Sequence, residues 1–181
     1  MPIPERQETV AFIWPNGCQP LDAIEIETYS AELTMNRTAF EQVQNSIGWH
    51  VSEEQWEQLS KEIVENSMVL ITQFGAPVAV ACGLSRANNW VELAWVAVLP
   101  AHRGRSIGKM LCNAVLRQLL DQGHLDIFGS TQDERLSALE IYLDIGFYPL
   151  YRKDKAERWS SICYKLNRPF TPALWGWPTN E

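Results

Sequence analysis

Residues 91–111, VELAWVAVLPAHRGRSIGKML, constrain the fold more than any other part of the chain, because they predict a strand, a turn and a helix in succession. The stretch 91–99 is apolar and rich in β-branched and aromatic residues, which is typical of a buried strand. Pro100 ends this strand, since proline has no N–H to donate to a sheet. From Ile107 onward apolar residues recur at helical spacing, so the basic turn between strand and helix leads into a helix N-terminus.

The turn itself has the composition of an anion-binding loop. A helix N-terminus presents unpaired backbone N–H groups and the positive end of the helix dipole. Arg103, Arg105 and Lys109 lie where that dipole disfavours cations, so an anionic ligand would account for them, and a solvated charge cluster is the alternative. The chain contains neither the GxxxxGK[ST] pattern of a P-loop nor the GxGxxG pattern of a dinucleotide site.

Composition limits the class of protein. The chain has 181 residues, of which 46% are hydrophobic and 20% charged, as expected for one compact domain. Its net charge of −7 argues against nucleic acid as a partner. It has no apolar stretch of the roughly 18 residues that a membrane span needs, and its first residues lack the apolar core of a signal peptide. We therefore expect a cytoplasmic protein that binds no membrane.

Charge is unevenly distributed along the chain. Residues 1–66 hold 12 Asp and Glu against 3 Lys and Arg, a net of −9, whereas residues 67–181 have a net of +2.

The three histidines and four cysteines show no metal-ligand spacing, so no metal is expected. Cys82, Cys112 and Cys163 lie in apolar segments, which favours buried free thiols.

Turn and cap signals divide the remaining chain into short elements. Strands are predicted over 8–14, 68–74, 78–86, 125–130 and 147–152, while 21–35 is ambiguous between strand and helix. Helices are predicted after capping boxes that begin at Thr38 and Ser52, after a cap at Asp133, and around Trp159, with Gly123 and Gly146 as helix stops. The tail with Trp175 and Trp177 is expected to dock on its own chain.

Two motifs carry a resemblance to a known family. Arg103-Gly104-Arg105-Ser106-Ile107-Gly108 resembles the (Gln/Arg)-x-x-Gly-x-(Gly/Ala) pyrophosphate loop of the GNAT acetyltransferases, although Ser106 stands where the family usually has glycine. The segment ALEIYLDIGF, residues 138–147, resembles the second signature of the family, A-x-x-x-Y-x-x-x-GF. Seven residues before the tyrosine the family often has asparagine, and here that position is Arg135.

The resemblance implies an α+β fold with a mixed, mostly antiparallel sheet flanked by helices. Two parallel central strands, 91–99 and 125–130, would splay apart at a bulge and bind acetyl-CoA as cofactor. Freed backbone N–H groups of Val96, Ala97 and Val98 would bind the pantetheine arm. The loop amides would hold the pyrophosphate; they belong to Arg103, Gly104, Arg105, Ser106, Ile107, Gly108 and Lys109.

Two side chains are candidates for proton transfer. Glu92 lies eleven residues before Arg103, the offset of the general base in the histone acetyltransferase branch of the family, and regular alternation would place it on one face with Ala94 and Val96. Tyr142 falls on the motif tyrosine, which implies a general acid toward the departing thiolate. The alternatives are a solvated edge residue for Glu92 and a core aromatic for Tyr142.

These features together predict one acetyltransferase domain. Residues 1–66 would shape the acceptor side, 67–152 the acetyl-CoA core, and 153–181 a C-terminal extension. The predicted activity is N-acetylation of a small, cationic amine, and the alternative is a catalytically inactive CoA-binding regulatory module. The sequence leaves three questions open: which amine is the acceptor, whether the donor carries an acetyl or a longer acyl group, and whether the protein forms a homodimer.

Overall fold

A computed structural model describes residues 9–21, 28–151 and 153–175. The strands are β1 Thr9–Ile13, β2 Tyr29–Leu33, β3 Val69–Gln73, β4 Ala76–Ser85, β5 Val91–Val98, β6 Ile127–Gln132 and β7 Tyr148–Pro149. The helices are α1 Arg37–Asn45, α2 Glu53–Glu62, α3 Ile107–Asp121, α4 Leu136–Ile145 and α5 Ala156–Lys165.

The strands form one seven-stranded sheet in the order β2-β3-β4-β5-β6-β1-β7. Among the strands of the described residues, β5 and β6 are the pair that runs parallel, and the other neighbours are antiparallel. A parallel pair needs a crossover connection, which α3 provides. The mixed, mostly antiparallel sheet flanked by helices is therefore confirmed.

The helices divide between the two faces of the sheet. On one side, α1 and α2 pack on alternate residues of β3, β4 and β5, and we call this side the α1–α2 face. On the other side, α3, α4 and α5 cover the larger core, and we call this side the α3–α4 face. Strand β4 shows the alternation directly, since Val80 and Cys82 face α1 while Ala79 and Ala81 face α3.

Helix caps agree with the sequence in part. The capping box of Ser52 and Gln55 is present at the start of α2. The box predicted at Thr38 is wrong, because Asn36 caps α1 by accepting a hydrogen bond from the Ala39 N–H at 3.1 Å. The cap predicted at Asp133 is also wrong, since its carboxylate pairs with Arg158 of α5 at 2.7 Å.

The C-terminal region confirms a helix around Trp159, which is α5 and buries the Trp159 ring. The predicted strand over 147–152 is reduced to the two residues of β7, which pair with β1. Trp175 packs edge-on against Tyr151 and next to Trp159, so docking of the tail is confirmed for this residue. Trp177 and the middle of the ambiguous 21–35 stretch lie outside the described residues, and the end of that stretch contains β2.

Candidate active site

The two parallel strands separate where the sequence predicts it. Pairing of β5 with β6 ends at Leu93 opposite Gly129. Just beyond, Trp95 has a φ of 56°, and the register of β5 against β4 shifts by one residue, as in a β-bulge. A bulky residue in the left-handed region is an outlier that costs on the order of 1–3 kcal/mol, so the surrounding structure must hold it there.

The loop after β5 forms the turn that the sequence predicts before α3. Gly104 and Ser106 have φ values of +72° and +59°, and Ser106 is the residue that precedes the first turn of α3 without capping it. The left-handed conformation explains why the motif prefers glycine at the position of Ser106. A Cβ built on Gly104 meets no atom within 4 Å, so the turn has open space beside its backbone.

A cleft of about 700 Å³ joins this loop to the gap between β5 and β6. This volume is within the usual range for small-molecule and cofactor sites, roughly 300–1,000 Å³. The cleft is lined by most of the residues predicted to bind the cofactor, namely Val96, Ala97, Val98, Arg103, Gly104, Ser106, Ile107, Gly108 and Lys109, and also by Tyr142. Arg105 and Glu92 are not part of this lining.

The three loop cations differ in their partners. Lys109 forms an ion pair with Asp144 of α4, and Asp144 also pairs with Arg168. The position of Lys109 at the start of α3 is therefore explained without an anionic ligand. Arg103 donates to the Val98 carbonyl at 3.1 Å, and Arg105 donates to the Tyr29 hydroxyl at 3.2 Å. Within the described residues, neither arginine has a carboxylate at ion-pair distance, which leaves their charge available to an anion.

Gly108 serves helix packing. A Cβ built on it would lie 2.6 Å from Cδ1 of Ile141, so the absent side chain makes room for α4 against α3. A large residue at Gly108 would therefore disturb the packing of the two helices as well as the cleft, and it is a poor probe of phosphate binding.

Tyr142 lies at the fork between the separating strands. Its side chain is 4% exposed, its ring stacks on Phe12 at 5.1 Å, and its hydroxyl is 3.4 Å from the Leu93 carbonyl. That distance is long for an O–H···O hydrogen bond, so the hydroxyl has a weak partner and can turn into the cleft. A Cβ at Gly129 would lie 2.7 Å from the tyrosine ring, so this glycine makes room for it, a requirement that the sequence motifs did not reveal.

Burial governs the protonation of Tyr142. Desolvation raises the pKa of its phenol well above the ordinary value, and the nearby Cys112 and Glu92 add to this rise. The hydroxyl therefore stays protonated throughout the physiological range. It can donate a hydrogen bond to a developing thiolate without giving up its proton completely.

Glu92 lies on the α1–α2 face in a network of charged and polar groups. Arg86 donates to its Oε2 from Nε at 2.8 Å and from Nη2 at 2.7 Å, and Ser130 donates to its Oε1 at 2.9 Å. Arg86 also binds Glu62 at 2.6 Å, so one guanidinium holds two carboxylates. The expectation that Glu92 shares a face with Val96 is wrong, because the extra residue at Trp95 turns Val96 to the α3–α4 face.

The buried cysteines are unsuited to act as nucleophiles. Burial raises the pKa of the Cys82 and Cys112 thiols to about 12, and Cys112 is the one that lines the cleft. A thiol is nucleophilic only as its thiolate, which these residues do not form near neutral pH. All four cysteines are free, and Cys18 is exposed.

Comparison with known proteins agrees with this geometry. The profile of the acetyltransferase (GNAT) family matches residues 33–147, from β2 to the end of the second motif. This chain belongs to the GNAT family. The matched region contains the bulged strand, the loop, Tyr142 and Glu92, and every residue that lines the cleft lies within it.

Relatives match parts of the chain. Rat N-acetyltransferase 8B is 37% identical over 57 residues, which cover 32% of this chain and 26% of the rat protein. A GCN5-related N-acetyltransferase from Sphaerobacter thermophilus superposes with a TM-score of 0.67 at 19% identity, covering 78% of this chain and 48% of that one. The ribosomal-protein-S18-alanine N-acetyltransferase from Escherichia coli superposes with a TM-score of 0.56 at 16% identity, over 65% of this chain and 76% of its own. These structural matches establish the shared fold.

Several residues of the GNAT cleft were not predicted. Ile47 and Trp49, which follow α1, line it, and the Arg135 guanidinium lies 4.5 Å above the Trp49 ring. Through this cation–π contact, the loop between α1 and α2 meets the start of α4 across the cleft. The sequence marks Arg135 only as a departure from the family's asparagine, and no sequence pattern predicts its contact with Trp49.

Membrane-spanning helices and metal-binding clusters are both absent from the residues that the structure describes. None of their helices is long and apolar enough to cross a membrane. No cluster of three or more His, Cys, Asp or Glu side chains with the arrangement of a metal site occurs among them either.

Proposed function

We propose that this GNAT protein is an N-acetyltransferase that transfers an acetyl group from acetyl-CoA to an amine. The observation that carries the proposal is the continuous cleft that runs from the amide-rich loop to the fork beside Tyr142. Acetyl-CoA would supply an activated thioester. The backbone N–H groups at the start of α3 would hold its pyrophosphate, and those of Val96 and Val98 its pantetheine arm; the Ala97 N–H faces Val80 of β4 instead.

Proton balance assigns roles to two side chains. The reaction starts from an ammonium ion and a thioester and ends with an amide, a thiol and one released proton. Glu92, through a water molecule, would take the proton from the attacking amine. Tyr142 would donate a hydrogen bond to the departing sulfur, a role that suits a phenol held protonated by burial. The high pKa of Cys112 favours direct transfer over an acyl-cysteine step.

A cationic amine is the acceptor we propose. The support is the net charge of −9 in residues 1–66, together with two carboxylates, Glu62 and Glu92, that share one arginine on the α1–α2 face. A negative field raises the local concentration of cations and speeds their association. The value of kcat/KM for such an acceptor should therefore fall as ionic strength rises.

A CoA-binding module without catalytic activity is the second candidate. It is favoured by the Arg135–Trp49 contact, which places a bulky cation in the lining of the cleft where the family often has asparagine. Ser106 also favours the inactive module, because it adopts a left-handed conformation at a position where the family usually has glycine. The two candidates differ in one measurement, turnover.

The binding site is tested with a pair of variants at Gly104. Aspartate and asparagine both tolerate positive φ and have the same size, so Gly104→Asp and Gly104→Asn differ in charge alone. Calorimetry with CoA should show binding to Gly104→Asn and a loss of at least tenfold in affinity for Gly104→Asp. Equal affinity in the two variants would place the pyrophosphate elsewhere.

Catalysis is tested with a panel of amines and acetyl-CoA, measured by release of free thiol. Turnover with polyamines or amino compounds, and none with acidic acceptors, would support the proposed enzyme. CoA binding without turnover across a broad panel would favour the inactive module. Replacing acetyl-CoA with longer acyl donors in the same assay would test the donor.

A further inference from the structure

The strongest unexplained feature of the molecule is the side chain of Gln44 in α1. It is fully buried in a cluster of apolar residues, and its Nε2 donates to the Trp95 carbonyl at 2.8 Å. Its Oε1 is buried and has no hydrogen-bond partner within the described residues. An unpaired buried amide oxygen destabilises a fold, so stability alone does not account for a glutamine at this position.

The carbonyl that Gln44 holds belongs to the strained residue of the bulge. Trp95 has a φ of 56°, and its ring lies 5.6 Å from Phe40 and 5.7 Å from Trp49. The helix α1 and the residues after it therefore hold Trp95 in two ways, by its ring and by its carbonyl. Such double restraint is what keeps a bulky residue in the left-handed region.

The orientation of this carbonyl fixes the next N–H group. The described chain has no cis peptide bond, so the Trp95 C=O and the Val96 N–H point in opposite directions. Because Gln44 approaches from the α1–α2 face, the Val96 N–H points away from α1. Trp95 and Val96 have no partner in the register of β4 or of β6, and Val96 lines the cleft.

We propose that Gln44 is a positioning residue that aims the Val96 N–H at the carbonyl oxygen of the acyl donor. The inference rests on the proposed acetyl transfer and adds the group that holds the donor N–H in place. A pre-aligned N–H stabilises the negative charge that develops on that oxygen, whereas a peptide free to rotate must be reoriented during the reaction. The helix that carries Gln44 lies on the α1–α2 face, so this contact also connects that face to the reacting thioester.

The test replaces Gln44 with methionine, which has a similar length and no hydrogen-bonding amide. The matched control is Gln42→Met, an exposed position of the same helix. We expect kcat to fall roughly 10- to 100-fold in Gln44→Met, below the 10²- to 10³-fold effect of deleting an oxyanion donor, because the Val96 N–H remains present. Affinity for CoA, which lacks the acyl carbonyl, should change less than about twofold, and Gln42→Met should match the wild type.

A second readout does not depend on turnover. Acetyl-CoA labelled with ¹³C at the acyl carbonyl shows an infrared band that shifts to lower frequency when the oxygen accepts a hydrogen bond. We expect a shift on binding to the wild type and a smaller shift on binding to Gln44→Met. If the wild type binds acetyl-CoA with the band shift but acetylates no amine, the proposed enzyme fails while the role of Gln44 stands.

Folding of the variants separates positioning from simple packing. Gln44→Met should melt within a few degrees of the wild type, since it removes the unpaired Oε1 but leaves the Trp95 carbonyl without its donor. If it fails to fold, Gln44→Asn, whose amide is too short to reach Trp95, should show the same loss of kcat and of the band shift. Wild-type kcat and band shift in a folded Gln44 variant would overturn the proposal, as would a loss of CoA affinity as large as the loss of kcat.

Discussion

The two faces of the sheet contribute to the cleft in different ways. The α3–α4 face offers backbone groups, in the loop before α3 and along the separated strand β5, and a single tyrosine. The α1–α2 face offers side chains that come from distant parts of the chain: Trp49 lines the cleft, and Glu92 with Arg86 lies on the same face outside that lining. The first face therefore depends on backbone geometry, and the second on contacts between side chains.

This difference shows which substitutions each face tolerates. A backbone donor keeps its position whatever the side chain, provided that the residue can adopt the required φ, which is how Ser106 stands in a place usually taken by glycine. A side-chain network has no such latitude, because replacing Arg86 would leave two carboxylates without their cation. Substitutions in the loop before α3 and on the α1–α2 face should therefore separate cofactor binding from the chemical step.

The largest effect is expected on the α1–α2 face, from Glu92→Gln. From the proposed role of Glu92 as general base, kcat should fall by roughly 10²- to 10⁴-fold while CoA affinity stays nearly unchanged. The control is Glu54→Gln, at an exposed position of α2, which should behave as the wild type. Steady-state kinetics over pH would check the role, since the limb due to the base should disappear. Full activity of Glu92→Gln at pH 7 would make Glu92 a structural partner of Arg86 only.

A smaller kinetic effect is expected on the α3–α4 face, from Tyr142→Phe. In the proposed mechanism the variant loses one hydrogen bond to the leaving sulfur, so kcat should fall by about 10²-fold, the lower end of the range for proton-transfer groups. Because burial keeps the phenol protonated, its deprotonation should not appear in the wild-type pH–rate profile below about pH 10. Tyr148→Phe, at an exposed tyrosine of β7, is the matched control. Unchanged kcat in Tyr142→Phe would leave positioning as the source of catalysis.

Next in size is a pH-dependent effect on stability at Asp144, beside the loop. Although burial raises the pKa of this carboxyl, the hydrogen bonds from Lys109 and Arg168 outweigh it and lower the pKa. A carboxyl with a depressed folded-state pKa stabilises the fold above its unfolded pKa of about 3.9, and that contribution is lost as pH falls. Asp144→Asn should therefore lower the free energy of unfolding by about 1 kcal/mol at pH 7.

The same argument predicts how the difference between Asp144→Asn and the wild type changes with acid. Urea titrations should show the difference shrinking below about pH 4, as the wild-type carboxyl becomes protonated. Asp121→Asn, at the exposed end of α3, serves as the control. A difference that stays constant down to pH 2 would contradict the ion-pair explanation.

The smallest effect is expected from Ser106→Gly, which tests whether the backbone site depends on the side chain at this position. Glycine relieves the left-handed strain of serine but gains freedom in the unfolded chain, so stability should change by less than about 1 kcal/mol. Calorimetry should show CoA affinity within about tenfold of the wild type, or 1.4 kcal/mol. A larger gain in affinity would mark Ser106 as a defect and strengthen the inactive-module alternative.

The sequence alone determined the frame of the α3–α4 face. The strand, the glycine-containing turn and the start of α3 are contiguous, and local backbone rules suffice to predict them. The second motif placed Tyr142 and the stop of α4 at Gly146 for the same reason. Helix α5 was predictable because its apolar residues recur at helical spacing.

The tertiary structure decided the α1–α2 face and the direction of each side chain at the bulge. One extra residue at Trp95 moves Val96 to the opposite face, and no local signal in an apolar strand reveals such a residue. The contacts of Gln44 with Trp95, of Arg135 with Trp49, and of Tyr142 with Gly129 join residues that only folding brings together. Sequence periodicity specifies which residues are buried within an element, but it does not specify which residues of different elements meet.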